Sequence, residues 1–384
     1  MNSSQPPIHG FCDPKFQQVK KTFVENFTLR GDVGAAVCIY QNGQKLVDLW
    51  GGYVAPLHAS AASVPEWQED TILCMMSVGK FIPALCLMMA EERGLLSLDD
   101  KVSAHWPAFA QAGKENITID DVISGLAGLI YADHAPKDSL FDLDQMATAL
   151  EQQAPEWPVG TQGAYHSSTL GALLMTIFKK ATGEDFIDFY HREVAGPLGL
   201  DYSYGVAEQD RSRLAPLIPN PNSTTLQEIA NPQSKIGRAW RPVTFHPGLF
   251  QSDAFFNSIF PSANGHGTVR SIARLFAALA SGGIVDGIKL VKPQTIEKIR
   301  QERWFGPCGL TDREFRYGRG CFLNHGDLAP LGANEKAFGH MGGGGAIGFA
   351  DPENKLSFAF ASNLMCGGAG VGDRCKALIN AAYE

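Results

Sequence analysis

The chain is 384 residues long, which at about 150 residues per domain leaves room for one large fold or two interleaved lobes. Hydrophobic residues make up 45% and charged residues 19%, with 41 Gly and 22 Pro, a balance that excludes a disordered or fibrous chain and fits a loop-rich enzyme. The 32 Lys plus Arg against 40 Asp plus Glu give a net charge of −8, and no window holds the run of basic residues that phosphate backbones attract, so nucleic acid is not an expected partner.

The first Lys is residue 15 and no apolar segment follows the initiating Met, so no secretory signal is expected. The longest strongly apolar stretch, Pro83 to Ala90, is too short to span a bilayer. The expectation is a soluble, cytoplasmic protein with no membrane partner. Its eight cysteines (12, 38, 74, 86, 308, 321, 366, 375) never form a CxxC pair, so free thiols and no zinc site are expected.

In chain order, Phe16, Val19, Phe23 and Phe27 recur at helical spacing and predict an amphipathic helix. Ala35 to Tyr40 and Lys45 to Trp50 flank Gln41-Asn42-Gly43-Gln44, and Asn-Gly predicts a hairpin there. Val78 to Arg93 reads as a helix stopped by Gly94, with Pro83 tolerable if the helix starts near residue 79. Ile119 to Ile123, Leu143 to Gln153, Thr169 to Thr182 and Asp185 to Val194 read as further helices, then Thr268 to Ser281 and Thr295 to Glu302. Gly345 to Ala350 and Leu356 to Ser362 read as strands around an Asp-Pro turn, and Asp373 to Tyr383 as a closing helix. The predicted fold class is α/β of the α+β type: one antiparallel sheet built from both chain ends and flanked by helices, with a mostly helical lobe inserted. The expected domains are 1–95 with 262–384, and 96–261.

Gly343 to Gly348 matches GxGxxG but lacks the strand-to-helix context of a dinucleotide site, and no P-loop, HExxH or GxSxG occurs. Ser77-Val78-Gly79-Lys80 is the one SxxK among 22 serines; with 17 lysines chance alone predicts about one, so its weight comes from context. If Ser77 opens the helix, i,i+3 spacing puts the Lys80 amine beside its hydroxyl, at a helix N-terminus that favours developing negative charge. Tyr165-His166-Ser167 follows the loop Pro155 to Thr161, and Gly339-His340-Met341 runs into Gly342 to Gly345, whose free N–H groups could donate to a ligand.

Together these elements resemble the serine β-lactamase and penicillin-binding superfamily, in particular its class C and family VIII carboxylesterase branch. The resemblance extends through Trp50 to Tyr53, Asp70-Thr71, Glu92 to Leu95, Trp157 to Thr161, Pro197 to Leu200 and Phe338 to Pro352. It implies a β-lactamase-like fold with Ser77 as nucleophile, Lys80 as its activating partner, Tyr165 opening the YxN motif, and His340-Met341-Gly342 in the place of KTG. It further implies an oxyanion hole from the Ser77 and Gly343 N–H groups and substrate contacts from Ser167, His340, Met341 and Gly342. Desolvation would disfavour the Lys80 ammonium while its charge would favour a tyrosinate, so the pair shares a proton and either could be the base.

Three departures bear on substrate. Ser167 stands where the resembling lactamases have Asn, His340 stands where they have Lys, and Gly125 replaces the His of an SHxxGL-like stretch, a change expected to affect the helical lobe and not the chemistry. Without the amide and the fixed cation, the expected activity is a serine carboxylesterase acting through an acyl-enzyme on small or short-chain esters, with no metal or organic cofactor. A β-lactamase, amide hydrolase or acyltransferase on the same machinery is the alternative, and a catalytically silent binding protein a second. The natural ester, oligomeric state and pocket walls, expected in 201–261, stay open.

Overall fold

The computed structural model describes residues 6–55, 64–368 and 370–384. Strands β2 (Gly34–Gln41) and β3 (Gln44–Gly52) form the expected hairpin, and its turn residues Asn42 and Gly43 lie at φ 52° and 77°, the left-handed pair whose twist matches the strands. The outer edge of β3 pairs with β1 (Ile8–Cys12), a strand the sequence pattern did not disclose.

These strands begin a nine-stranded antiparallel sheet in the order β1-β3-β2-β15-β14-β13-β12-β11-β10. The C-terminal members are β10 (Trp304–Pro307), β11 (Glu314–Tyr317), β12 (Phe322–Leu323), β13 (Phe338–Met341), β14 (Ile347–Asp351) and β15 (Leu356–Ser362). The two chain ends join where β15 lies against β2, in register from Leu356–Gln41 to Ser362–Ala35. Both faces are covered. Val37 and Ile39 of β2 and Phe358 of β15 pack in one apolar cluster with Val19 and Phe23 of helix α1 (Gln17–Leu29), while the alternate residues Cys38, Tyr40 and Ala359 join a second. Two-sided burial explains why these strands read as unbroken apolar runs.

Helix α2 (Phe81–Glu92) starts later than expected. Met76 to Lys80 form a separate 3-10 turn, and Pro83 falls in the first turn of α2, where its missing N–H had no intrahelical partner to lose. Then come α3 (Ile119–Ile123), α4 (Leu143–Gln152), α5 (Leu170–Thr182), α6 (Phe186–Tyr190), α7 (Thr224–Ala230), α8 (Lys235–Ala239), α9 (Val269–Ala280), α10 (Pro293–Arg300) and α11 (Gly372–Ala381). Helix α10 begins at Pro293, two residues before the expected start, with proline in the first turn.

A second sheet of four short strands, β5 (Tyr202–Tyr204), β7 (Gly265–Gly267), β4 (Ile72–Cys74) and β6 (Leu214–Ala215) in that order, was not foreseen. It places the start of the Ser77 turn, because the Met75 N–H donates to the Gly265 carbonyl at 2.9 Å. Gly265 itself is demanded by contact, since a Cβ there would lie 1.9 Å from the Tyr202 hydroxyl. The remaining pair, β8 (Ile284–Val285) and β9 (Ile288–Lys289), is a small hairpin after α9. Among the described residues no helix is long and apolar enough to cross a membrane.

Candidate active site

Ser77 is the second residue of the 3-10 turn, so its N–H is among the donors that such a turn leaves free. The residue before it, Met76, has φ 49°, a left-handed conformation that costs a side-chain-bearing residue about 1–3 kcal/mol and clusters at functional positions. Lys80, one turn on, is fully buried, and its Nζ lies 2.8 Å from Ser77 Oγ. Both groups also reach the main-chain carbonyl of Ser262, Ser77 Oγ at 3.2 Å and Lys80 Nζ by a short hydrogen bond.

Tyr165 arrives from the loop before α5, its ring centroid 5.1 Å from Lys80 Nζ and its N–H donating to Cys308 Sγ at 3.3 Å. Burial pushes the Lys80 amine well below its ordinary range. Burial likewise pushes the Tyr165 phenol up, outweighing the lowering contact with Ser77. Burial therefore favours the neutral form of both groups.

The residues in the place of KTG divide. Met341, Gly342 and Gly343 line the pocket, and the Gly343 N–H has no acceptor among the described residues. Gly342 serves packing: a Cβ there would sit 2.2 Å from the Met75 carbonyl, so glycine lets the strand end approach the Ser77 turn. His340, expected to touch substrate, is instead fully buried behind the wall. Its Nδ1 lies 2.8 Å from the Met341 carbonyl, its ring packs on Tyr165 and Phe322, and burial brings its pKa down to about 3. Strand alternation puts His340 on the Tyr165 face of β13 and Met341 on the face of the α1 cluster, so His340 lies on the site's side of the sheet but beneath the Tyr165 and Phe322 rings.

Ser167 does line the pocket, with its Oγ accepting the Trp240 indole N–H at 2.9 Å. Gly125 bears on the site more directly than expected. Its carbonyl accepts the Ala164 N–H at 2.9 Å, next to Tyr165, and at φ 74° a Cβ would lie 2.7 Å from the Ala164 carbonyl. Gly125→Ala is expected to destabilise the protein by about 1–3 kcal/mol, seen as a lower urea midpoint with an unchanged slope. A wild-type midpoint would refute that requirement for glycine.

The pocket holds about 240 Å³. Besides the residues above, Ile229, Ile236, Trp240, Leu310, Phe315, Phe322 and Leu328 form apolar walls. The expectation that the walls lie in 201–261 is half right, since 310–329 supplies the other side. At the rim Arg313 pairs with Glu228 at 3.3 Å and His325 with Glu314 at 3.1 Å. Trp240 and the Ser262 carbonyl escaped the sequence reading, and for a main-chain carbonyl no side-chain type announces the role. Among the described residues no group of three or more His, Cys, Asp or Glu could hold a metal ion.

The sequence pattern of the Beta-lactamase family matches residues 23–380. Esterase/beta-lactamase LipL of Mycobacterium tuberculosis (strain ATCC 25618 / H37Rv) is 30% identical over 368 residues, spanning 93% of this chain and 83% of that protein. The crystal structure of a family VIII carboxylesterase superposes with a TM-score of 0.87 at 30% identity, covering 98% of this chain and 99% of its own. A penicillin-binding protein homologue from Caulobacter crescentus gives 0.84 at 30% identity with the same coverage.

Proposed function

The chain belongs to the Beta-lactamase family, and from that premise we propose that it is a serine carboxylesterase that forms an acyl-enzyme on Ser77. The observation that carries the reading is the 2.8 Å contact between Ser77 Oγ and the buried Lys80 amine, whose pKa burial pushes well below its ordinary range. A neutral amine can take the serine proton, which an ammonium cannot. As Oγ attacks the ester carbonyl, its proton passes to Lys80 Nζ, and the oxyanion is received by the N–H groups of Ser77 and Gly343. When the C–O bond breaks, Tyr165 donates its phenolic proton to the departing alcohol and regains one from Lys80. Water then attacks the acyl carbon, giving its proton to the same pair, which returns it to Ser77 Oγ as the bond to the acyl group breaks.

The seam between 1–95 with 262–384 and 96–261 would hold the substrate, Ser77 from the first and Tyr165 from the second. Two features favour a small neutral ester over a β-lactam. The Ser167 hydroxyl is already engaged by Trp240, and the cation lining the pocket, Arg313, is paired with Glu228. A lactam carboxylate and side-chain amide would find few partners, and a site rejects strongly where a required hydrogen bond is missing. The kcat/KM for p-nitrophenyl acetate or butyrate is expected to exceed that for a chromogenic cephalosporin by about a hundredfold, or roughly 2.7 kcal/mol. Equal turnover of both would replace the esterase reading with the lactamase one. The eight free cysteines, seven of them buried, suit a reducing compartment, and we assign the protein to the cytoplasm on that ground.

A further inference from the structure

The segments that carry the reacting groups meet at one buried side chain, Ser262, in the stretch leading into β7. Its hydroxyl donates to the Ser168 carbonyl at 2.8 Å and accepts the Gly171 N–H at 3.0 Å, which stitches it to the start of α5 just beyond Tyr165. Its carbonyl faces the other way, onto Ser77 Oγ and Lys80 Nζ. The fit at α5 is close: a Cβ on Gly171 would lie 2.8 Å from the Ser262 nitrogen and 2.9 Å from its Oγ.

We infer that Ser262 is a positioning residue whose hydroxyl clamp sets the carbonyl that orients Lys80 toward the nucleophile. The inference rests on Ser77 and Lys80 being the reacting pair. A neutral amine has two N–H groups and one lone pair, and engaging an N–H with the Ser262 carbonyl leaves the lone pair for the Ser77 proton. That proton has a competing acceptor, since the same carbonyl is 3.2 Å from Oγ against 2.8 Å for Nζ. The carbonyl must therefore stay near enough to hold the amine and far enough not to trap the hydroxyl. The hydroxyl clamp fixes that separation and ties it to the Tyr165 loop.

The titratable groups around Lys80 give no other means of holding it. Tyr165 faces it from the loop before α5, and the neutral His340 lies close by on β13. Tyr204 bonds the Gly79 carbonyl at 2.7 Å, the Tyr202 hydroxyl would lie 2.9 Å from a Cβ on Gly79, and His266 of β7 is neutral, with its pKa at about 4. No charged partner contributes to the Lys80 shift, which comes from burial.

The test compares wild type, Ser262→Ala and Gly171→Ala on p-nitrophenyl butyrate, one variant removing the clamp and the other wedging it apart. Each is expected to lower kcat by about 10- to 100-fold with KM within about twofold, the scale of a displacement near 1 Å. Because the neutral amine is the active form, admitting water beside Lys80 raises its pKa and moves the acid limb of kcat/KM to higher pH, by about half a unit. A soluble, folded Ser262→Ala with wild-type kcat and an unmoved limb overturns the inference. So does a loss of kcat with the limb in place, which a general loosening would also produce. If Ser262→Ala does not fold, Gly171→Ala decides on the same two readouts, and failure of both to fold makes Ser262 a packing residue and overturns the inference as well. Intact-mass location of the wild-type adduct on Ser77 tests the underlying reading separately.

Discussion

Ser77→Ala is expected to form no phosphonyl adduct with a fluorophosphonate and no acyl adduct with p-nitrophenyl butyrate, and to lower kcat by at least roughly a thousandfold. The size follows from what is removed. Ser77 Oγ has the buried Lys80 amine 2.8 Å away, and its own N–H and that of Gly343 are free to receive an oxyanion. Without the oxygen those groups can polarise a bound ester but have nothing to deliver to it, leaving only water attack. Intact mass reads the adduct and circular dichroism checks the fold. An adduct persisting on Ser77→Ala would move the chemistry to another residue.

Lys80→Met and Tyr165→Phe are each expected to cost about 10² to 10⁴ in kcat, the range for a positioned acid or base. Methionine keeps the length of the buried side chain, so the loss reports lost proton transfer more than a cavity. The double variant is expected to lose far less than the product of the two, since one proton passes between both groups and removing either already breaks its route. Multiplicative losses would mean that amine and phenol serve separate steps. Burial disfavours the charged form of both groups, which suits the proposed order in which the amine accepts first and the phenol donates first.

What could be read from the chain alone follows the range of the interactions. Asn42-Gly43 predicts its hairpin because the turn is local, and Ser77 and Lys80 stand together because i,i+3 spacing is local too. Tyr165 lies 88 positions from Ser77, and only the family resemblance joined it to the site. The strands from Trp304 to Leu323 are two to four residues each, too short for alternation to register, and they supply one wall of the pocket. His340 shows the opposite failure, for its residue type announces a contact that the covering Tyr165 and Phe322 rings take away. Gly125 reads as a matter for the helical lobe alone, because its tie to Ala164 runs through a main-chain carbonyl that leaves no mark in residue identity.

The junction of β2 and β15 bears on how the protein comes to exist in a cell. These neighbours at the centre of the large sheet are separated by about 300 residues of chain, which a ribosome adds over roughly 15 to 60 s at ~5–20 residues per second. For that time the N-terminal hairpin waits with the inner edge of β2 unpaired and Val37 and Ile39 uncovered by β15, the kind of strand edge that recruits other chains. Ser77, the proposed nucleophile, emerges early, whereas Gly343 is among the last residues made, so no shortened nascent product carries both proposed oxyanion donors. Synthesis to near the C-terminus is thus the step that both protects the sheet and completes the proposed site.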